Sequence, residues 1–334
     1  QPANQTVCNN TATAAVNFTG TVPGTTFAWT NNTPSIGLAA SGTGNIPSFT
    51  AANTGTAPVV ATITVTPSVG ACTGTPATFT ITVNPTPNAI ATPASQTICT
   101  GTAITPIVLT SGVAGTTYTW SRDNTASITG IASTGTGNIT GSMTNLTTSP
   151  VTVTFTIIPT ANGCTGPSTT ATVTVNPLPT ITCPANITVP STLGLCTAPV
   201  TYTPTATGVP APTFSYSTTG ATVASGSGTG SGLLFNVGVT TVNLTATNTC
   251  GAASCSFTIT VTDAQLPVIT QQPVTRTVCA GSNATFSVTA TNAVSYQWQQ
   301  WNGSAWVNIT GATASSYTVS SVTQSMNTNT FRAQ

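Results

Sequence analysis

Thr78-Phe79-Thr80-Ile81-Thr82-Val83-Asn84-Pro85-Thr86-Pro87 decides the fold. Apolar Phe79, Ile81 and Val83 alternate with threonine, then a proline-rich break ends the run. A period of two with one apolar face is a half-buried β-strand. Threonine on the other face is β-branched, so it favours extended backbone while its hydroxyl stays wet. The pattern recurs at Thr170-Ala171-Thr172-Val173-Thr174-Val175-Asn176-Pro177-Leu178-Pro179. Ile63 and Val65 show it, as do Val151, Val153, Phe155 and Ile157, then Phe257, Ile259 and Val261. No segment carries a 3.6-residue apolar stripe, so the chain is expected to be all-β.

The two proline-ended strands close two copies of one unit. QTVC at residues 5–8 matches QTIC at 96–99, and Cys8 and Trp29 map to Cys99 and Trp120 at an offset of 91. Cys72 and Asn84-Pro85 map to Cys164 and Asn176-Pro177 at an offset of 92. A period near 90 is too long for a solenoid repeat and fits a tandem array of small domains. Gly and Pro clusters such as Val22-Pro23-Gly24 and Ser41-Gly42-Thr43-Gly44 punctuate the strands.

Composition removes most chemistry. Three Arg and two Asp are the only formal charges in 334 residues, and His, Lys and Glu are missing altogether. Ordinary domains are about 25% charged. Asp123, Asp263 and the cysteines offer almost nothing for general acid–base catalysis or for a His/Asp/Glu metal site. Three positive charges, Arg122, Arg276 and Arg332, make no footprint for nucleic acid. No run of about 18 apolar residues exists to cross a membrane as a helix. Nine cysteines at regular spacing point to disulfides and an oxidising compartment. Neither enzyme nor cofactor is expected.

Each copy reads as a sandwich of about seven strands with the order Cys8…Trp29…Cys72 or Cys99…Trp120…Cys164. That is the immunoglobulin-like order, in which the Trp packs in the core. Cys8 is therefore expected to pair with Cys72, and Cys99 with Cys164. The second Cys of each copy sits in a turn, so the bridge is expected to staple an end of the sandwich.

QTVC/QTIC, PGTTFAW/AGTTYTW, SGTGNI/TGTGNI and TITVNPTP/TVTVNPLP together resemble the PKD-like, immunoglobulin-fold repeats of very large Bacteroidetes cell-surface proteins, gliding-type adhesins among them. Residues 180–267 are a different module. ITCPANITV at 181–189, LCTAPVTY at 195–202 and CSFTITVTD at 255–263 are similar to the HYR domain, another immunoglobulin-like extracellular module. Its four cysteines, Cys183, Cys196, Cys250 and Cys255, allow three pairings. Cys250 and Cys255 flank one turn, which disfavours their bridge and leaves two pairings open. From residue 268, CAGSNATF at 279–286 and YQWQ at 296–299 resemble an ordinary immunoglobulin-like repeat. Its Cys279 has no partner, and its last strand is expected to be unfinished. The expected organisation is four tandem immunoglobulin-like β-sandwiches: 1–88, 89–179, 180–267 and 268–334.

Few residues are candidates for binding. Asp123 beside Arg122 reads as a solvated surface pair, and Asp263 alone falls short of calcium's six to eight oxygen ligands. A Cys nucleophile would have no His to activate it. Trp298, Trp301 and Trp306 form the one aromatic cluster. Trp298 falls at the core position, so Trp301 is the candidate ligand contact for a glycan. Sequons at Asn4, Asn17, Asn138, Asn186 and Asn308 are expected to be chance products of a Thr- and Asn-rich chain, and lysine-dependent isopeptide staples are ruled out.

The reading is a non-enzymatic extracellular stalk or adhesin region, its linkers Asn84–Pro87, Asn176–Pro179 and Leu266-Pro267 stiffened by proline. A net charge of +1 favours association, so self-assembly into filaments is an expected property. Surface glycans or proteins are the expected partners. The rival is a dedicated binding module in the third or fourth domain. The resemblance implies export by type IX secretion.

Overall fold

In a computed structural model covering residues 1–334, the chain is all-β, with two single-turn 3-10 helices and no α-helix. It divides into two compact units. One comprises 1–181 with 206–213 and 246–253; the other comprises 182–205, 214–245 and 254–334.

In repeat 1 the main sheet runs in the order Gln5–Cys8, Ala77–Asn84, Val59–Val69, Thr26–Asn31, Ser41–Thr43. The first strand lies parallel to the last, with Cys8 opposite Asn84, and closes one edge of the sheet. Val59–Val69 and Ala77–Asn84 pair antiparallel from Val59↔Val83 to Val65↔Ala77, joined by a hairpin in which Val69 faces Cys72. Bridges Ala12↔Thr50 and Val16↔Ile46 form the opposing layer. Repeat 2 repeats this plan, with Cys99 opposite Asn176 and Ala161 opposite Cys164. Its second layer is a fuller sheet of Ile128–Gly130, Ser142–Asn145 and Thr102–Ala103.

The alternation read from the sequence is what the cores are made of. Ile63, Phe79, Ile81 and Val83 are buried with Trp29, Ile36 and Ile46 in repeat 1. Phe155, Ile157, Val173 and Val175 are buried with Trp120, Ile128, Ile139 and Met143 in repeat 2. The intervening threonines line the outer face, where Thr152 and Thr174 hydroxyls meet at 2.9 Å.

The repeated motifs each have a mechanical reason. Gln5 forms a two-point bond with Ala14, donating to its carbonyl at 3.0 Å and accepting from its N–H at 2.9 Å. Gln96 does the same to Thr105. In SGTGNI and TGTGNI the first glycine faces the core tryptophan across the ladder, Gly42 opposite Trp29 and Gly135 opposite Trp120. A Cβ on either glycine would overlap the indole lying across it. The second glycine, Gly44 or Gly137, turns the chain at positive φ. Asn45 and Asn138 then accept the N–H of Phe18 and Leu109 at 2.8 and 2.9 Å, and Ile46 and Ile139 enter the core.

The third segment has the sheet order Ile187–Pro190, Gly251–Thr262, Gly238–Asn248, Thr213–Gly220, Ala224–Ser227, again with a parallel first strand. Tyr202 packs edge-on against Phe257 at 4.9 Å and donates its hydroxyl to the Thr229 carbonyl at 2.8 Å. Burial, with Tyr216 adding to it, pushes the Tyr202 phenol up to about 12. In the fourth segment Ala284–Ser287 pairs with Ser316–Val319, and Trp298–Trp301 lies between Trp306–Asn308 and Phe331–Ala333. Trp298 is fully buried, and its indole N–H donates to the Ala314 carbonyl at 2.9 Å.

Gly135→Val tests the tryptophan seat. Two added methyls and a Cβ would displace the Trp120 ring in a packed core, and overpacking of this kind costs about 1–3 kcal/mol. A denaturant titration should show the midpoint fall; an unchanged midpoint would mean the ring does not need the glycine's open face.

Candidate functional site

The cysteines make the site, and they do not pair within the repeats. Cys8 is bonded to Cys164, 156 residues away, with Cα atoms 5.7 Å apart. Cys99 is bonded to Cys250, 151 residues away, with Cα atoms 5.1 Å apart. Cys183 is bonded to Cys255 at 5.8 Å. Cys72, Cys196 and Cys279 are free and exposed. The expected bridges Cys8–Cys72 and Cys99–Cys164 are therefore corrected, as is the assignment of Cys72 and Cys196 to disulfides. Of the two pairings left open in the third segment, neither is realised whole. Cys183–Cys255 forms, but Cys250 bonds to repeat 2.

Strand register explains the correction. Cys8 lies beside Asn84, at the linker end of its sheet, whereas Cys72 caps the hairpin beyond Val69 at the other end. Ten residue steps along Val59–Val69, at about 3.3 Å each, separate those ends by roughly 33 Å. A disulfide needs Cα atoms within about 7 Å. A repeat's own hairpin therefore cannot reach its linker end, but a turn from the next repeat or segment can. The Cys–Trp spacing that suggested an immunoglobulin bridge places the tryptophan correctly but carries no information about which end each sulfur occupies.

The junction of repeats 1 and 2 is fitted around this bond. The Asn84 side chain donates to the Asn162 carbonyl at 2.9 Å, on the hairpin that carries Cys164. The Pro87 carbonyl oxygen lies where a Cβ on Gly166 would be. Thr56 reaches within 3.4 Å of the Cβ position of Gly112. Cys164 is 2% exposed. Where the turn carrying Cys250 meets repeat 2, the pattern recurs: Leu178 crowds the Cβ position of Gly251 at 2.8 Å and Pro179 that of Gly208 at 3.3 Å. Both junctions thus place an Asn-Pro-x-Pro linker against a hairpin tip. On the chain-entropy model, closing loops of these lengths stabilises each cross-linked fold by about 5 kcal/mol.

The remaining candidates resolve as follows. Arg122 and Asp123 are not a free surface pair. The guanidinium donates to the carbonyls of Ile131 at 2.8 Å and Ile128 at 3.1 Å, and Asp123 accepts the Thr154 N–H at 2.7 Å. Partial burial lowers the Arg122 pKa, against an upward pull from Asp123. No three His, Cys, Asp or Glu side chains come together. Asn4, Asn138 and Asn186, all within sequons, spend their carbonyl oxygens on the N–H groups of Thr80, Leu109 and Thr258. Trp301 is exposed, its ring 5.4 Å from Trp306, over which Arg332 stacks at 4.6 Å. No helix is long and apolar enough to cross a membrane.

The PKD-like domain family matches residues 5–87 and 96–179, together half of the chain. Among curated proteins none matches. Among solved structures the chain is similar to Sidekick-1 immunoglobulin domains 1–5 (16% identity, 99% of this chain and 78% of that one, TM-score 0.38). It is also similar to the titin I-band fragment I67–I69 (14%, 78% and 96%, 0.44) and to mouse cadherin-23 EC22–24 (14%, 78% and 95%, 0.40). Overlap this loose says nothing about ligands or assembly.

Peptide mapping of the unreduced protein should recover Cys8 linked to Cys164 and Cys99 linked to Cys250. Recovery of Cys8–Cys72 would overturn the register argument.

Proposed function

The chain belongs to the PKD-like domain family, and from that premise we propose a non-enzymatic extracellular region that holds part of a large surface protein at a distance from the cell. The observation that carries this is the end-to-end stapling: the first-strand cysteine of each PKD-like repeat is bonded to a hairpin beyond its own linker. Such bonds persist in oxidising compartments, which supports a location outside the cytoplasm. A scarcity of charge leaves little for salt to screen, so the array would keep its geometry across ionic strengths. Organisation as four domains, 1–88, 89–179, 180–267 and 268–334, belongs to the same reading. So do the HYR-like character of the third domain, kinship with Bacteroidetes gliding-type adhesins, type IX export and self-association into filaments.

A stalk must resist elongation. Pulled from its two termini, the chain between Cys8 and Cys250 can lengthen only as far as the shortest path between the two staples. That path runs from Cys164 to Cys183, across the Cys183–Cys255 bond and back to Cys250, about 24 residues or roughly 85 Å fully extended. Single-molecule extension should release about this length from the stapled region, rising to roughly 850 Å once a reductant opens all three bonds. Release of the full length without reductant would remove the reading.

The exposed Trp301 favours a second role, in which the fourth domain contacts a glycan through the Trp301–Trp306 pair. Aromatic faces pack against the apolar side of sugar rings, and the neighbouring Arg332 and Gln299 supply hydrogen-bonding groups. Screening immobilised oligosaccharides with the intact chain and with Trp301→Ala should show binding that the variant loses at least tenfold. Equal binding by both, or by neither, would leave Trp301 as an ordinary surface residue.

A further inference from the structure

The hairpin end of repeat 1 is a bare copy of a surface that repeat 2 keeps covered. Val22 is 55% exposed, and its counterpart Val113 is 5% exposed. Val69 is exposed while Ala161 is buried, and Pro67 is half-buried while Pro159 is buried. Cys72 is free and exposed while Cys164 is buried and bonded to Cys8. Phe18, Val22, Phe27, Pro67, Val69 and Cys72 share one cleft of about 690 Å³. In repeat 2 the corresponding end receives repeat 1: Asn84 on the hairpin turn, Pro87 over Gly166, and Cys8 on Cys164.

Gly74 is an independent sign of the same occupant. It aligns with Gly166, and neither has the positive φ that would call for glycine. Gly166 is explained by the Pro87 carbonyl that occupies its Cβ position. Within repeat 1 nothing approaches Gly74 closer than the Pro67 ring at 3.0 Å, a contact whose counterpart, Pro159 at 3.2 Å, also exists in repeat 2. The extra clearance at Gly74 matches a docked linker carbonyl.

We propose that Cys72 and the apolar cleft around it are a docking and disulfide-bonding site for another PKD-like repeat, seated as repeat 1 is seated on repeat 2. The occupant offers a first-strand cysteine of the QT-x-C type and an Asn-Pro-x-Pro linker. Its asparagine donates to the carbonyl of Gly70, the equivalent of Asn162, and its second linker proline lies over Gly74. The bond forms when the Cys72 thiol and the incoming thiol lose two protons and two electrons. A disulfide oxidant takes them up and leaves as two thiols. The proposal goes beyond the stalk reading: its failure would leave the bonds at Cys8 and Cys99 untouched.

The test extends the full chain at its N-terminus with a second copy of residues 1–91, which restores the spacing found between repeats 1 and 2. In the added copy Val7→Ile, the residue repeat 2 has there, serves as a mass tag, and Cys72→Ser removes a competing thiol. After refolding in a glutathione redox mixture, unreduced mapping should find the tagged Cys8 joined to the original Cys72. Maleimide labelling of that Cys72 should fall at least tenfold relative to the unextended chain. Gly74→Ala in the original repeat should restore labelling in the extended protein while leaving the unextended chain folded. Undiminished labelling in an extended protein whose Cys8–Cys164 and Cys99–Cys250 bonds have formed would overturn the proposal. So would a Cys72–Cys72 or Cys72–Cys279 link between copies of the unextended chain, which would make this end a junction between molecules.

Discussion

The parallel seating of the first strand against the last governs everything else in the repeats. Because Gln5–Cys8 runs alongside Ala77–Asn84 in the same direction, its C-terminal cysteine is carried to the end from which the linker leaves. An antiparallel first strand would have pointed the sulfur away from the linker, toward the end where Cys72 lies. Polar side chains hold the strand in place on either side, Gln5 on Ala14 and Asn4 on Thr80. With the strand in this direction, the covalent cross-links join neighbours instead of closing single domains.

Amides do here the work that charges do elsewhere. Asn53 is buried and donates to the carbonyls of Ala57 and Val83, and Asn145 donates in the same way to Ser149 and Val175. Each pins an irregular loop to the last strand of its sheet. A neutral amide offers two donors and an acceptor without the desolvation cost of burying an ion. Buried amides left unpaired are costly, so such sites tolerate few substitutions, and both copies keep asparagine.

The strands, the cores and the positions of Trp29 and Trp120 were legible in the sequence because each depends on nearest-neighbour alternation or on spacing within one copy. Comparing the copies with each other also made the period plain. Disulfide partners were not legible, since they depend on which end of the sandwich a cysteine reaches, and that is set by strand direction across some seventy residues. The glycines of SGTGNI and TGTGNI were visible as turn signals, but the first of each pair proved to be a seat for the indole. That role emerges only when Gly42 is known to lie opposite Trp29. Arg122 and Asp123 misled for a similar reason: their partners are backbone groups of Ile128, Ile131 and Thr154, which no spacing rule brings near.

The two long-range bonds overlap, and overlap changes what a peptidase can do. Cys8–Cys164 and Cys99–Cys250 divide the chain into three stretches, 8–99, 99–164 and 164–250, that run side by side between the same two covalent nodes. Any two peptide bonds cut between Cys8 and Cys250 leave the ends of the molecule joined. Severing it takes at least three cuts, and the one in the last stretch must fall between Cys164 and Cys183, because the Cys183–Cys255 bond bypasses the rest of that stretch. Exposed turns, the usual points of attack, are plentiful here, yet the residues that trypsin-like enzymes need are not. Arg122 is the sole basic residue between the nodes, and it lies in the middle stretch. An enzyme of that specificity can nick this region but cannot part it.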